Sequence, residues 1–238
     1  MTTARAFIDL HCHTSASFDS LADPVAVVKA AATRGLTHLV VSDHDRIDGA
    51  LRARDAAPEG FTVIIGEEVK TADGDLIVAF LESALAPGLP AAETIALARE
   101  QGAICGIPHP FDKFRGSLSK SERLEALAPL VDWVEVHNAR IVGHGNEDAV
   151  TFAREHALPG VAVSDAHSVL EVGVAYTTLE GDPSTPDGLL SALAASDLVA
   201  GGDLVTGRAT YGVRLWTPIA KGINRLRGNN RIPPETTS

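Results

Sequence analysis

The stretch DLHCHTSASFDS, from Asp9 to Ser20, places His11 and His13 two positions apart at the end of a short apolar run. Side chains at i and i+2 of a strand point to the same side, so both imidazoles could bind one metal ion while Cys12 points away. Asp19 follows in the same stretch and offers a carboxylate. A partly exposed strand end would explain this short pattern equally well, so its meaning depends on the other strands.

Similar polar clusters end the later extended runs. They read SDHD (42–45), GEE (66–68), PHP (108–110), EVHN (135–138) and SDAH (164–167). Helical segments separate the runs, such as DPVAVVKAAATRG, with Asp23 at the N-cap and Gly35 past the end. Alternating strands and helices predict a mostly parallel sheet, and six or seven such units favour a barrel. The carboxyl ends of parallel strands meet on one face, so the clusters should converge there.

The residue types in these clusters favour metal binding. Divalent transition metals take imidazole and carboxylate ligands. Asp165 and His167 repeat the i, i+2 spacing, Glu68 ends a strand where its two oxygens could span two ions, and His109 stands between two prolines. Several ions in one pocket favour phosphate-ester hydrolysis over redox chemistry, because metals acidify bound water and stabilise attacking and leaving oxygens.

Composition limits the class of protein. The chain has 238 residues, 45% of them hydrophobic, which suffices for one sizeable core. With a net charge of −11, a nucleic-acid groove is not the default expectation, although bound cations would still attract an anionic substrate. Two cysteines make no disulfide framework. We find no signal peptide and no transmembrane segment, and we therefore predict a cytoplasmic protein.

In this order, the motifs HCHT…D, SDHD, GEE, PHP, EVHN and SDAH resemble those of the PHP (polymerase and histidinol phosphatase) family of amidohydrolase-like metalloenzymes. The resemblance spans roughly residues 7–179. It implies a distorted (β/α)7 TIM-like barrel with a metal site at the carboxyl ends of the strands. It also implies two or three divalent ions (Zn, Mn or Fe) and hydrolysis of phosphomonoesters of nucleotides or small metabolites.

Other functions fit the same resemblance. Within the enzymes, the chain could be a histidinol-phosphate phosphatase, a 3′–5′ exonuclease or a hydrolase of non-phosphate substrates. Outside them, it could be a catalytically silent metal-binding accessory protein. The chain between Glu68 and His109 has room for one strand and one helix only, without the helical insertion common in the nucleotide-phosphatase branch. The resemblance therefore implies phosphatase chemistry more firmly than it implies any particular substrate.

The resemblance also assigns roles to the metal ligands. A first ion would bind His11, His13, Glu68 and Asp165. Glu68 would bridge to a second ion, which His109 also binds. A third ion would bind Asp19, His44 and His167. The remaining ligand of the second ion is open, with His144 preferred over His137 and Asn138.

Catalytic and substrate-binding roles follow in the same way. A bridging hydroxide would be the nucleophile, and Asp165 or His167 would be the catalytic residue that moves its proton. The substrate phosphate calls for a cation. Basic residues just beyond strand ends are the substrate-binding candidates: Arg140, Arg115 and Lys113.

The C-terminal segment differs in charge from the rest. Residues 204–234 carry six Lys or Arg and no Asp or Glu. We predict a barrel domain at 1–203 and a basic helix and tail at 204–238. Val213, Trp216, Ile219, Ile223 and Leu226 share one face of a predicted helix. This helix either docks on the acidic barrel or offers a surface to an anionic partner, and the final GNNRIPPETTS is expected to be disordered.

Overall fold

The computed structural model describes residues 5–112, 121–196, 204–209 and 215–231. The predictions for Lys113 and Arg115 lie outside the described residues. The strands are β1 Arg5–Cys12, β2 His38–His44, β3 Thr62–Lys70, β4 Asp75–Ala79, β5 Ile104–Ile107, β6 Trp133–Asn138, β7 Gly160–Val163, β8 Ala175–Glu180 and β9 Leu204–Thr206. The helices are α1 Pro24–Thr33, α2 Asp48–Asp55, α3 Ala91–Glu100, α4 Ser121–Leu127, α5 Gly145–Glu155, α6 Pro186–Ala195 and α7 Trp216–Leu226, and a 3₁₀ turn covers Ala128–Leu130.

The strands form one sheet in the order β7-β6-β5-β4-β3-β2-β1-β8-β9. β1 to β3 are parallel, as are β5 to β7, and β4 runs antiparallel between the two sets. A bridge between Cys12 and Ala166 brings the end of β1 to the chain that follows β7. His13 N–H donates to the Ala166 carbonyl there. The sheet is thus a nearly closed barrel, which confirms the predicted fold class.

The interior is filled by strand residues. Its buried cluster takes Ile8 from β1, Val40 from β2, Ile77 from β4, Trp133 from β6 and Leu179 from β8, all within one group. Two further apolar clusters lie between the strands and the helices. A filled barrel has no pore, so a site can form only at an end, where polar strand termini replace apolar side chains.

The predicted C-terminal helix forms as α7. Ala220 and Asn224 are its buried residues, while Trp216, Ile219 and Leu226 are exposed. The helix attaches to the barrel through hydrogen bonds of Asn224 and leaves these three apolar side chains at the surface.

Residues around α7 also contact the barrel. Asn229 and Arg231, within the segment predicted to be disordered, hydrogen-bond to barrel residues, so that prediction was wrong for them. β9 pairs with β8 and extends the sheet. The domain division at residue 203 stays a prediction. Within the described residues, no helix combines the length and hydropathy needed to cross a bilayer.

Candidate metal centre

Eight of the nine predicted metal ligands converge at the carboxyl ends of the strands. Every one of them is buried. We call this group the metal cup: His11, His13, Asp19, His44, Glu68, His109, Asp165 and His167. His11 lies in β1, His44 ends β2 and Glu68 lies in β3. The other members, including His13 directly after Cys12, stand on the loops that follow β1, β5 and β7.

Donor atoms of four cup residues lie close to one another. His11 Nε2 and His13 Nε2 are 2.9 Å apart. Glu68 Oε2 lies 3.3 and 3.2 Å from these nitrogens, and Asp165 Oδ1 lies 3.7 and 3.6 Å from them. A tetrahedral ion with bonds of about 2.1 Å has its donors roughly 3.4 Å from one another. His11, His13 and Asp165 therefore form a group that could hold a divalent ion, and Glu68 Oε2 lies beside both histidines.

A second group of donors shares His13 with the first. Asp19, His44 and His167 join it, with the four donor atoms within 4.8 Å of one another. Asp19 Oδ2 is 3.3 Å from Nε2 of both His44 and His167. Asp19 Oδ1 is buried and forms no hydrogen bond with any described residue, as expected for a carboxylate that faces a cation. Glu68 links the groups, because its Oε2 also lies 3.2 Å from His44 Nδ1.

Hydrogen bonds to Nδ1 orient two of the cup histidines. His11 Nδ1 donates to Glu135 Oε1 over 2.7 Å, and His167 Nδ1 donates to the Asp165 carbonyl over 2.9 Å. Neutral imidazole that donates from Nδ1 keeps a lone pair on Nε2. Both Nε2 atoms face the cup, so both rings are held in the tautomer that can bind a metal.

Glu135 was missed as a functional residue by sequence reasoning. Its Oε2 accepts hydrogen bonds from His109 N–H at 2.8 Å and Asn138 Nδ2 at 2.9 Å, so one buried carboxylate holds three parts of the cup. The motif EVHN contained the signal. However, the β6–β7 pairing shifts register between Glu135 and His137, which turns His137 toward the Gly207 carbonyl.

The cup shifts the pKa values of its members strongly. Burial alone would raise the pKa of Asp19, but His167 and His44 nearby hold it well below its usual range. Burial lowers the pKa of His13, yet hydrogen bonds with Asp165 and Glu68 outweigh this and raise it to about 9. Burial, with His13 and Arg140 nearby, lowers the pKa of His167 to about 4. Carboxylates kept ionised in a buried site are suited to holding cations.

Two of the cup residues have a left-handed backbone. His109 has φ 28° and Asp165 has φ 50°. Such conformations cost of order 1–3 kcal/mol for residues other than glycine. Glu135 accepts from His109 N–H, and the His11 carbonyl accepts from Asp165 N–H over 2.9 Å. These two bonds fix the turns that aim the side chains into the cup.

Two predicted site residues lie elsewhere. His144 precedes α5 with its side chain 91% exposed and 3.5 Å from Glu147, so it does not join the cup. The Arg140 side chain is 9% exposed and pairs with Glu171 and Thr217. His144 thus lies outside the cup, and the substrate-binding role of Arg140 stays a prediction.

The predicted second ion would bind beside Glu68 Oε1 and His109 Nε2, which are 3.2 Å apart. Of its candidate ligands, His144 pairs with Glu147, His137 bonds to the Gly207 carbonyl and Asn138 donates to Asp165 Oδ2. The metal-binding groups that the described residues form both contain His13 instead. The side of the cup near His109 thus offers an ion fewer ligands than the side near His13.

The cup opens into a cavity of about 240 Å³. Its lining includes two cations from the C-terminal segment, Lys221 and Arg231. Sequence reasoning identified the charge of this segment but did not place it at the site. Arg231 is 186 positions from Asp45, which it contacts, and nothing local in the sequence signals such a pairing.

Family models match most of the chain. Residues 9–144 match the PHP domain, and residues 143–198 match the PHP-associated model. The chain belongs to the PHP family. The PHP match contains most of the cup, and Asp165 and His167 fall within the PHP-associated match. The protein MJ1587 of Methanocaldococcus jannaschii is 33% identical over 142 residues, which cover 55% of this chain and 81% of that protein.

Solved structures share the fold of this PHP-family chain. One is a two-domain protein from Bacteroides vulgatus that contains a predicted PHP-like metal-dependent phosphoesterase. It has a TM-score of 0.67 and 19% identity over 80% of this chain and 63% of that one. Another is the lesion-specific endonuclease Q from Pyrococcus furiosus, with a TM-score of 0.61 and 19% identity over 81% of this chain and 56% of that one. The chain thus spans under two thirds of either structure.

Proposed function

We propose that this PHP-family protein is a metal-dependent phosphoesterase that hydrolyses phosphomonoesters of nucleotides or small metabolites, using two or three ions of Zn, Mn or Fe. The observation that carries the proposal is the donor set of His11, His13, Glu68 and Asp165, in which each carboxylate lies 3.2 to 3.7 Å from the two histidine nitrogens. When bound, such ions supply Lewis-acid charge and an acidified water molecule. The family assignment supports the same chemistry.

The side chains of the cup divide the work. His11, His13, Glu68 and Asp165 would hold one ion, and Asp19, His44 and His167 would hold another. We assign proton acceptance to the Asp165 carboxylate, which lies beside the two nitrogens of the HxH pair. His167 is the positioning partner, because its Nδ1 bonds to the Asp165 carbonyl and keeps both side chains in one orientation.

The test is phosphate release by metal-loaded protein. The protein is reconstituted separately with Zn, Mn and Fe and assayed on p-nitrophenyl phosphate, nucleoside monophosphates and histidinol phosphate. His13→Ala removes a donor that both metal groups share, so we expect activity to fall by at least a hundredfold. His144→Ala is the matched control, because His144 is exposed and outside the cup.

Three outcomes would contradict parts of the proposal. Bound metal without release of phosphate from any ester would favour the silent accessory protein. Wild-type rates in His13→Ala would mean that the cup is not the catalytic site. Loss of activity in His144→Ala would restore that residue as a ligand and refute the arrangement described above.

A further inference from the structure

The C-terminal segment lies across the loop that carries Asp19. Asn224 Nδ2 donates to the carbonyls of Ser17, Phe18 and Ser20, at 3.2, 3.1 and 2.8 Å. Asn229 Nδ2 likewise donates to the carbonyls of residues 15–17. Buried carbonyls need donors, and these two amides supply them. The segment is therefore attached at the rim of the metal cup by specific bonds.

This attachment places Arg231 at the cavity with its guanidinium fixed. Nε donates to Asp45 Oδ2 over 2.7 Å, and Nη2 donates to Asp75 Oδ1 over 3.0 Å. Neither bond uses Nη1. Burial would lower the pKa of Arg231, but Asp75 and Asp45 raise it, so the group is cationic at any working pH. A guanidinium held by two carboxylates is oriented in advance for an anion.

Lys221 adds a second, more mobile cation. Its Nζ lies 3.8 Å from Asp19 Oδ2 and 5.1 Å from the centre of the Phe18 ring, and its side chain is 50% exposed. The long flexible stem lets the ammonium turn from Asp19 toward an anion in the cavity. Arg231 also lies over Phe18, at 5.8 Å, so both cations flank one aromatic side chain at the mouth.

The two cations complement the uneven ligand supply of the cup. The described metal-binding groups lie on the His13 side, whereas the Glu68–His109 side has few donors. Arg231 acts electrostatically on Glu68 and thus brings positive charge toward that side. A cavity of about 240 Å³ is below the roughly 300 Å³ at which ordinary ligand pockets begin. It suits a phosphoryl group with a small part of its leaving group.

We propose that Arg231 and Lys221 bind the non-bridging oxygens of a terminal phosphate and so select phosphomonoesters over internal phosphodiesters. This inference rests on the proposed function and identifies the group that the same site recognises. A monoester dianion has more charge and more free oxygens for two cations than a diester monoanion has. A bidentate or charge-assisted contact of this kind is strong and directional.

The experiment uses the full-length, metal-loaded protein and two readouts. The first is the Kd of inorganic phosphate measured by calorimetry, which needs no turnover. The second is kcat and KM for p-nitrophenyl phosphate and bis(p-nitrophenyl) phosphate. The variants are Arg231→Gln, Lys221→Gln and the conservative Arg231→Lys. Arg225→Gln is the matched control, because Arg225 is an exposed cation of α7 that does not line the cavity.

We expect Arg231→Gln to weaken phosphate binding and raise KM for the monoester by about tenfold or more, as for loss of a charge-assisted hydrogen bond. KM for the diester should change by less than about threefold, Arg231→Lys should restore part of the affinity, and Arg225→Gln should match wild type. Because Arg231 also holds Asp45 and Asp75, circular dichroism and metal content are measured on every variant.

The outcomes separate this inference from the proposed function. Unchanged phosphate affinity in Arg231→Gln and Lys221→Gln would overturn the inference, whether or not esters are hydrolysed. Affinity that falls only in step with lost metal would also overturn it, since Arg231 would then act through the metal site. Phosphate binding that depends on both cations, in a protein that hydrolyses no ester, would support the inference and refute the proposed function.

Discussion

Replacing Glu135 by glutamine tests whether the cup depends on a single tautomer of His11. The carboxylate accepts from His11 Nδ1 on Oε1 and from His109 N–H and Asn138 Nδ2 on Oε2. Glutamine has the same shape but one carbonyl oxygen and one NH2 group. If the NH2 replaces Oε2, it faces two donors. If it replaces Oε1, it faces only His11 Nδ1.

The second arrangement keeps more hydrogen bonds and should therefore dominate. His11 must then accept at Nδ1 and carry its proton on Nε2, which lies 2.9 Å from His13 Nε2 in the cup. A ring protonated at Nε2 cannot bind a metal through that atom. To bind a metal through Nε2, His11 must carry its proton on Nδ1, where the N–H would face the NH2 group of the glutamine. Loss of such an orienting carboxylate typically costs 10–100-fold in metal affinity, or about 1.4–2.8 kcal/mol.

The assay is competition for Zn or Mn against a chromophoric chelator, with circular dichroism to verify folding. Glu125→Gln is the matched control, because Glu125 is 57% exposed and pairs with His156 away from the cup. We expect weaker binding in Glu135→Gln by the factor above and unchanged binding in the control. Affinity within about threefold of wild type in Glu135→Gln would refute the tautomer argument.

Three further predictions concern stability. A Cβ at Gly106 would lie 2.1 Å from Trp133 Cε2, so overpacking in Gly106→Ala should lower the free energy of unfolding by about 1–3 kcal/mol, measured in urea. Gly222 has open space at the position of a Cβ, so Gly222→Ala should show no such loss. Chelating the metal should lower the Tm and adding it back should restore it, because an ion that binds only the folded chain stabilises it by about 2.7 kcal/mol at 100 Kd. Burial lowers the pKa of His38 from 6.5, so the unfolded chain binds more protons than the folded chain below about pH 6.5. The free energy of unfolding should therefore fall as the pH drops from 7 to 5, and it should fall less in His38→Gln.

Regular strands made much of the site predictable. The spacing of His11 and His13 predicted that both lie in one buried group near the carboxyl end of β1. Asp165 and His167 lie on the loop after β7 and belong to two different donor groups that share His13. Cys12 lies in the apolar cluster behind β1, as the alternation predicted. The fold class was predictable because most strands are buried apolar runs and most connections between them contain a helix.

Prediction failed where one strand is irregular. Alternation places Glu135 and His137 on one side of β6, yet the register shift between them separates the two. Glu135 and Asn138 face the cup, and His137 bonds to the Gly207 carbonyl on the other side. A single sequence gives no sign of such a bulge. His144 failed for a different reason, since its local motif resembles a ligand loop while its ring simply pairs with Glu147 in the first turn of α5.

The basic charge of the C-terminal segment was evident from the sequence, but its site of attachment was not. Hydropathy draws attention to the apolar residues of a helix, whereas this helix attaches through Asn224, which donates to carbonyls of the loop that carries Asp19. Those carbonyls become visible as unpaired acceptors only in three dimensions. Removing the whole segment would expose them and move Asp19, so a truncated protein would lose stability and metal together. Docking and charge can be separated only by single substitutions, in which Lys221 or Arg231 loses its charge while Asn224 and Asn229 stay in place.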